Sequence, residues 1–504
     1  MKKVIPLAII LPLLLDLPYL LGWLLAGPHY VFNGLLFDTF DGYSYLAKLY
    51  QGWEGHWRFV LPYTASQGQG AYIYLVHIFM GHVARWLNIS VVLAYHLGRT
   101  INGMLMILAL GHFFQRFLKN DQQAWKATLL ALFGTGLGWI ALIFGSYTSD
   151  MWVAEAFPFL SAITNLHFPL AIAIILWLLS EMDSTVNGLT GVLTVLAGVL
   201  LAMISPFGVL VLGLVWLVKV VWDGFETRQI RWLKLVLYGL GSGPMVAYMV
   251  WAIYTDPVLA GWNRQNQTPT LGIPDFIISF SPMLLLALVG VYAALNHKLT
   301  SARPILIWLI LGCLLINIPF SLQRRLIVGL FIPVAGMAVI GLDAIRGLKP
   351  KIYRWINLGL IPITLPTLLI ILALPVSGIL THNSMLYTTQ DESRALQWIA
   401  NHTPPNSLVL ASPTMGLMVP AFTGRRVIYG HPFETVNAKV EEQAVLTYYS
   451  GKQSASQEDQ FIAQRGINYI FYGPREAALG RPSDLSELPV VYQSGDVTVY
   501  ATHP

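Results

Sequence analysis

The chain has 504 residues, of which 55% are hydrophobic and only 11% charged. Soluble domains carry about 25% charged residues, so this composition argues against a soluble globular protein and for a polytopic membrane protein with room for about ten spans and one further module. A net charge of +5, spread thinly beside apolar runs, argues against a nucleic-acid partner, and one cysteine, Cys313, rules out an intrachain disulfide.

The N-terminal "MKKVIPLAIILPLLLDLPYLLGWLLAG" is too long an apolar run for a signal peptide and shows no small-residue cleavage site, so it reads as a retained first span near 4–26. Lys2 and Lys3 place its start in the cytoplasm, which leaves residues 27–70 outside. "AYIYLVHIFMGHVARWLN" (71–88) is nearly long enough to span but carries His77, His82 and Arg85, and it reads as an amphipathic helix on the outer membrane face. Further apolar runs lie near 91–117, 127–146, 163–182, 187–204, 206–222, 233–254, 276–295, 303–320, 326–345 and 355–381. About eleven transmembrane helices follow. An odd number places the C-terminal region outside, and the basic loops "RFLKNDQQAWK", "DGFETRQIR", "NHKLTSARP" and "RGLKPKIYRW" then all fall in the cytoplasm. From residue 382 the composition changes. "SLVLAS", "RRVIYG", "INYIFYG", "PVVYQS" and "VTVYAT" read as strands, and "SRALQWIANH", "KVEEQAVLTYYSG" and "QEDQFIAQRG" as helices. The expected fold class is an α-helical polytopic membrane protein, residues 1–381, with a small extracytoplasmic α/β domain, residues 382–504. The first external loop with its juxtamembrane helices covers 27–90.

Two carboxylates, Asp38 and Asp41, stand about ten residues past the first span, followed by "GYSYLAKLYQG". A helix there carries Tyr45 and Lys48 on the side of Asp41. A carboxylate at a water–lipid boundary flanked by aromatics suits a general base, while the plain alternative is a helix cap. Arg324 and Arg325 occupy a very short external turn, "SLQRRL", against the usual charge bias; paired arginines suit a phosphate, or reach lipid headgroups. Arg99, opening the second span, is a third external cation, placed to pair with a first-loop acid or the same phosphate. Asp150, Glu155 and His167 in the 147–171 loop are candidates for the acceptor side, and Trp262 and Arg264 in the 256–275 loop for a lid. "GRRVIYGHPFET" gathers Arg425, Arg426, His431 and Glu434 within ten positions. Asp16, inside the first span, calls for a polar partner.

An Asp shortly past the first span, an aromatic-rich amphipathic stretch and then "LGRTINGMLMILALGHFFQRF" resemble the GT-C membrane glycosyltransferases. So does "AYIYLVHIFMGHVARWLNIS", a juxtamembrane helix and turn before an Arg. "ALQWIANHTPPNSLVLASPTMGLMVPAFTGRRVIYGH" is similar to the end domain of many bacterial members. The resemblance implies a polyprenyl-phosphate sugar as donor, an unknown glycan, lipid or protein as acceptor, and one inverting step at the outer face of the cell membrane. Asp41 would be the base, with Asp38 in reserve. Arg324, Arg325 and Arg99 would hold the leaving phosphate, and Tyr45, His167 and Glu155 would line the substrate. No cofactor beyond the lipid-phosphate sugar is called for, and a divalent metal stays open. The first loop lacks an Asp-Glu pair and no Trp-Trp-Asp motif occurs, which argues against an oligosaccharyltransferase. The alternative function is a transporter or flippase of a lipid-linked or polar solute; its usual charged, broken mid-membrane helices in two related halves are not seen here. A non-catalytic assembly or sensor protein is a third reading.

Overall fold

The computed structural model describes residues 1–502. Seven helices among them are long and apolar enough to cross a membrane: Val4–Leu24, Val91–Phe117, Asp121–Ile143, Pro206–Thr227, Leu233–Thr255, Phe331–Leu348 and Pro350–Leu380. Ile273–Phe280 and Met283–Asn296 add an eighth if they count as one span; they are bent by 83°. Three shorter apolar helices, His167–Ser180, Gly188–Ile204 and Thr300–Leu315, fall on the remaining apolar runs. Each expected run thus carries a helix, but 276–295 is not the single straight span that its hydropathy predicts. The three short helices are below the ~20 residues that a perpendicular crossing needs.

The chain packs into two compact units. One comprises Met1–Pro18, His96–Ala247 and Thr268–Val376. Its charged residues within apolar helices are matched, as low-dielectric surroundings require. Asp16 interrupts the first helix and pairs with Arg99. Lys219 pairs with Asp183 and, at 2.6 Å, with Asp223. Arg303 reaches Asp223 and, at 2.8 Å, Glu226.

The other unit comprises Tyr19–Tyr95, Tyr248–Gln267 and Ser377–Pro504 as far as described. The first loop therefore packs with the C-terminal region, although a linear division at residue 381 separates them. A five-stranded sheet runs Arg426–Val427, Leu408–Leu410, Tyr469–Tyr472, Val497–Ala501, Val490–Ser494. The first three strands are parallel and the last two antiparallel. All five coincide with β-rich runs of the sequence. Helices Gln390–His402, Ala438–Tyr449 and Ala455–Arg465 also stand where expected, and Pro413–Thr423 is an additional one. Tyr448, Tyr449, Leu410 and Ile470 are buried in this core. A second, two-stranded sheet joins Tyr30–Phe32 to Tyr387–Thr389.

Two helices of the first loop, Thr39–Glu54 and Leu75–Leu87, cross backbone to backbone. A Cβ on Gly52 would sit 2.0 Å from the Ile78 carbonyl oxygen, and one on Gly81 only 1.9 Å from that of Leu49. Small residues at both positions make this approach possible. The Leu75–Leu87 helix is the one read as amphipathic, and His77 and His82 lie on its buried side.

Candidate active site

The Thr39–Glu54 helix starts from Asp38, whose backbone is left-handed (φ 45°, ψ 53°). Aspartate tolerates that region better than most residues. Asp38 occupies the N-cap position without capping through its side chain; its carbonyl accepts the Gly42 N–H at 2.8 Å. The carboxyl is exposed.

Asp41, Ser44, Tyr45 and Lys48 follow at intervals of three and four, which puts them on one helix face. That face meets the segment around His431 and Glu434. His431 Nε2 lies 3.3 Å from Asp41 Oδ1. Glu434 Oε1 accepts from Ser44 Oγ at 2.6 Å and pairs with Lys48 Nζ at 2.7 Å; Lys48 also bonds Ser44. The Lys48 side chain is wholly buried, with Nζ 4.3 Å from the centre of the Tyr74 ring. Burial acts to raise the Glu434 pKa, but the charge of Lys48 and the bonds from Lys48 and Ser44 outweigh it and hold the carboxyl below its ordinary value. Asp41 keeps 32% of its side chain exposed, whereas His431 keeps 1%. Asp41 is thus where this buried network opens to the surroundings. Tyr45 is buried and stacks on His77, ring centres 4.8 Å apart.

The four residues of "GRRVIYGHPFET" divide into two jobs. Arg425 binds Glu54 at 2.8 Å, the carbonyls of Ala400, Thr403 and Thr423, and the Thr403 hydroxyl. Burial raises the Glu54 pKa against the pull of Arg425. Arg426 donates to the Ala65 carbonyl at 2.7 Å. These arginines staple the helix and the following loop. His431 and Glu434 face the carboxylate and amine of the helix itself. The 256–275 loop forms a docked helix rather than an open lid over its first part: Pro257–Gln265 buries Trp262, and Gln265 accepts the Asn437 N–H at 2.9 Å.

The remaining candidates belong to the first-described unit. Arg99 is fully buried; its guanidinium binds Asp16 and the carbonyls of Ala162 and Ile163 at 3.1 and 3.3 Å. Arg324 Nε and Arg325 Nη1 stand 3.8 and 3.7 Å from one oxygen of Glu155, and the Arg324 guanidinium lies 4.6 Å from the Trp152 ring. Two cations thus share one acid. His167 is buried against Phe168, ring centres 4.1 Å apart. Asp150 is buried; it accepts from Thr148 Oγ1 at 2.7 Å and the Gly138 N–H at 3.0 Å, and burial pushes its pKa up to about 6. Ser279 Oγ donates to Asp150 at 3.3 Å and Ser149 Oγ to Asp275 at 2.5 Å, which ties this loop to the bent helix pair. Among the described residues no group of three or more His, Cys, Asp or Glu side chains is placed to hold a metal. The sequence reading left two partnerships unassigned: His431 with Asp41, and Arg324 and Arg325 with Glu155. The helical spacing 41–44–48 was the available signal for the first, and its partners lie about 390 positions away.

No family model matches the chain, and no curated protein does. Several solved structures are similar. The archaeal oligosaccharyltransferase AglB from Archaeoglobus fulgidus, in complex with an inhibitory peptide and a dolichol-phosphate, shares 12% identity at a TM-score of 0.50, over 91% of this chain and 68% of that one. ArnT from Cupriavidus metallidurans, bound to undecaprenyl phosphate, shares 14% at 0.52, over 97% of both chains. The arabinofuranosyltransferase AftD from Mycobacteria shares 12% at 0.54, over all of this chain and 40% of that one. Likeness at such identity speaks to architecture alone, and the chain shares the fold of these three proteins.

Proposed function

We propose that the protein is a membrane glycosyltransferase that moves a sugar from a polyprenyl-phosphate donor to an acceptor hydroxyl. The observation that carries this reading is the fold likeness over nearly the whole of ArnT, a protein solved with undecaprenyl phosphate bound. Asp41 is the base. Its carboxylate takes the acceptor proton as the acceptor oxygen attacks the anomeric carbon. The bond from that carbon to the phosphate oxygen breaks, the lipid phosphate departs, and the configuration inverts. Arg324 and Arg325, which share the Glu155 carboxylate, are the pair assigned to bind phosphate. Arg99 supports the first span through Asp16, and Tyr45 and His167 are each buried within their own unit, against His77 and Phe168. The N-terminus is cytoplasmic in this reading, and the C-terminal region works outside the cytoplasm.

The experiment is sugar transfer from a radiolabelled polyprenyl-phosphate sugar in membranes. Asp41→Asn at unchanged abundance loses activity by roughly 100-fold or more, the usual worth of a positioned base. Undiminished transfer by an Asp38→Asn/Asp41→Asn chain removes the base from both residues. Lipid translocation in liposomes with no glycosyl product replaces the enzyme by a flippase.

A further inference from the structure

We propose that His431 is a positioning residue that orients the Asp41 carboxylate, an inference that rests on the assignment of Asp41 as base. Three observations converge on it. First, the ring's tautomer is fixed. The backbone N–H groups of Phe433 and Glu434 both donate to Nδ1, each at 3.1 Å. A nitrogen that accepts cannot carry the proton, so in the neutral ring the proton is on Nε2, the atom 3.3 Å from Asp41. Second, the ring is held in place. It is almost completely buried, its centre 5.7 Å from that of Tyr63 and 6.1 Å from that of Phe433. Three positions on, Glu434 is locked to Lys48 and Ser44 of the helix that carries Asp41. Third, Asp41 is the more exposed member of the pair, so a buried, rigid ring edge stands behind a partly exposed carboxylate.

The ring does not store the proton taken from the acceptor. Charging it means protonating Nδ1, which displaces two backbone donors. His431 therefore sets the edge of its ring that bears Nε2 3.3 Å from one carboxylate oxygen, and this close approach restricts the rotamer of the group. The C-terminal region thereby contributes to the reaction through a residue that need not touch substrate.

Two variants separate this role from simple packing. His431→Asn keeps an acceptor near the Nδ1 position for the two backbone N–H groups but has nothing at the Nε2 position. His431→Gln places an amide donor near Nε2. Each is measured as full-length protein in membranes, with abundance and melting temperature monitored. The expected result is a fall in kcat of on the order of 10–100-fold for His431→Asn, with KM for the donor unchanged, the loss typical of a misplaced reacting group. His431→Gln recovers to within about threefold. Wild-type kcat in His431→Asn, or a change confined to KM, beside a dead Asp41→Asn overturns the positioning role and leaves the base assignment standing. Full activity of the Asp41→Asn chain overturns the base assignment and this inference with it.

Discussion

Replacing Lys48 with methionine removes the cation from a buried ion pair while keeping a similar volume. Wild-type Lys48 is completely buried, 2.7 Å from Glu434, and both share Ser44. The variant leaves the Glu434 carboxylate buried with the Ser44 bond but without its counter-charge. Breaking a buried pair from one side costs about 3–5 kcal/mol. For a compact unit of 150–250 residues that is a drop in melting temperature of on the order of 10 °C. The pH dependence changes sign as well. In the wild type the Glu434 pKa is held below its ordinary value, so its contribution is present above that value and is lost as pH falls through the folded pKa. Without Lys48, burial dominates and the folded pKa rises, so the variant is most stable at low pH and loses stability as pH rises. Glu434→Gln added to Lys48→Met returns most of the loss, because it deletes the stranded charge. Thermal melts in detergent between about pH 4 and 8 measure all three chains. A Lys48→Met melting curve within about 2 °C of wild type, with an unchanged pH slope, refutes the claim that this pair anchors the helix.

Asp150, at about 6, has a folded pKa above its ordinary 3.8, and burial is the main cause. The folded state therefore keeps a proton that the unfolded state has lost, and stability declines as pH rises through that window. Asp150→Asn flattens this decline in the wild-type-minus-variant difference. Asp484, also pushed up to about 6 chiefly by burial, contributes a further part of the slope, which Asp484→Asn removes. Glu155→Gln leaves Arg324 and Arg325 without their shared acid; inhibition of transfer by a polyprenyl phosphate then tightens roughly tenfold, and Arg325→Ala weakens it. Unchanged inhibition constants in both variants remove the phosphate from this arginine pair.

Much of the architecture was open to reading because membrane physics is simple: an apolar run must be helical, and its length sets its reach. The five strands of the sheet were legible from runs such as "INYIFYG", rich in β-branched and aromatic residues. The bend between Ile273–Phe280 and Met283–Asn296 was not, since hydropathy counts residues and is blind to the direction of the axis. Asp41, Tyr45 and Lys48 were placed on one face by spacing alone. Their partners were not, because nothing local links a helix at residue 41 to a turn at residue 431. Arg425 shows the converse: its charge marked it as a candidate, yet its hydrogen bonds to Glu54, Thr403 and three carbonyls identify a staple.

The small sheet that joins Tyr30–Phe32 to Tyr387–Thr389 has a bearing on biosynthesis. Its two strands are separated by more than 350 residues of chain, and the same holds for Ser44 and Glu434. Contacts of such sequence separation close late, after most of the loop entropy has been overcome. A nascent chain can insert its hydrophobic helices one by one, yet the segment bearing Asp41 has no finished support until the final quarter has been synthesised. A chain that ends before residue 431 therefore lacks His431 and Glu434, the partners that pack against Asp41 and Lys48.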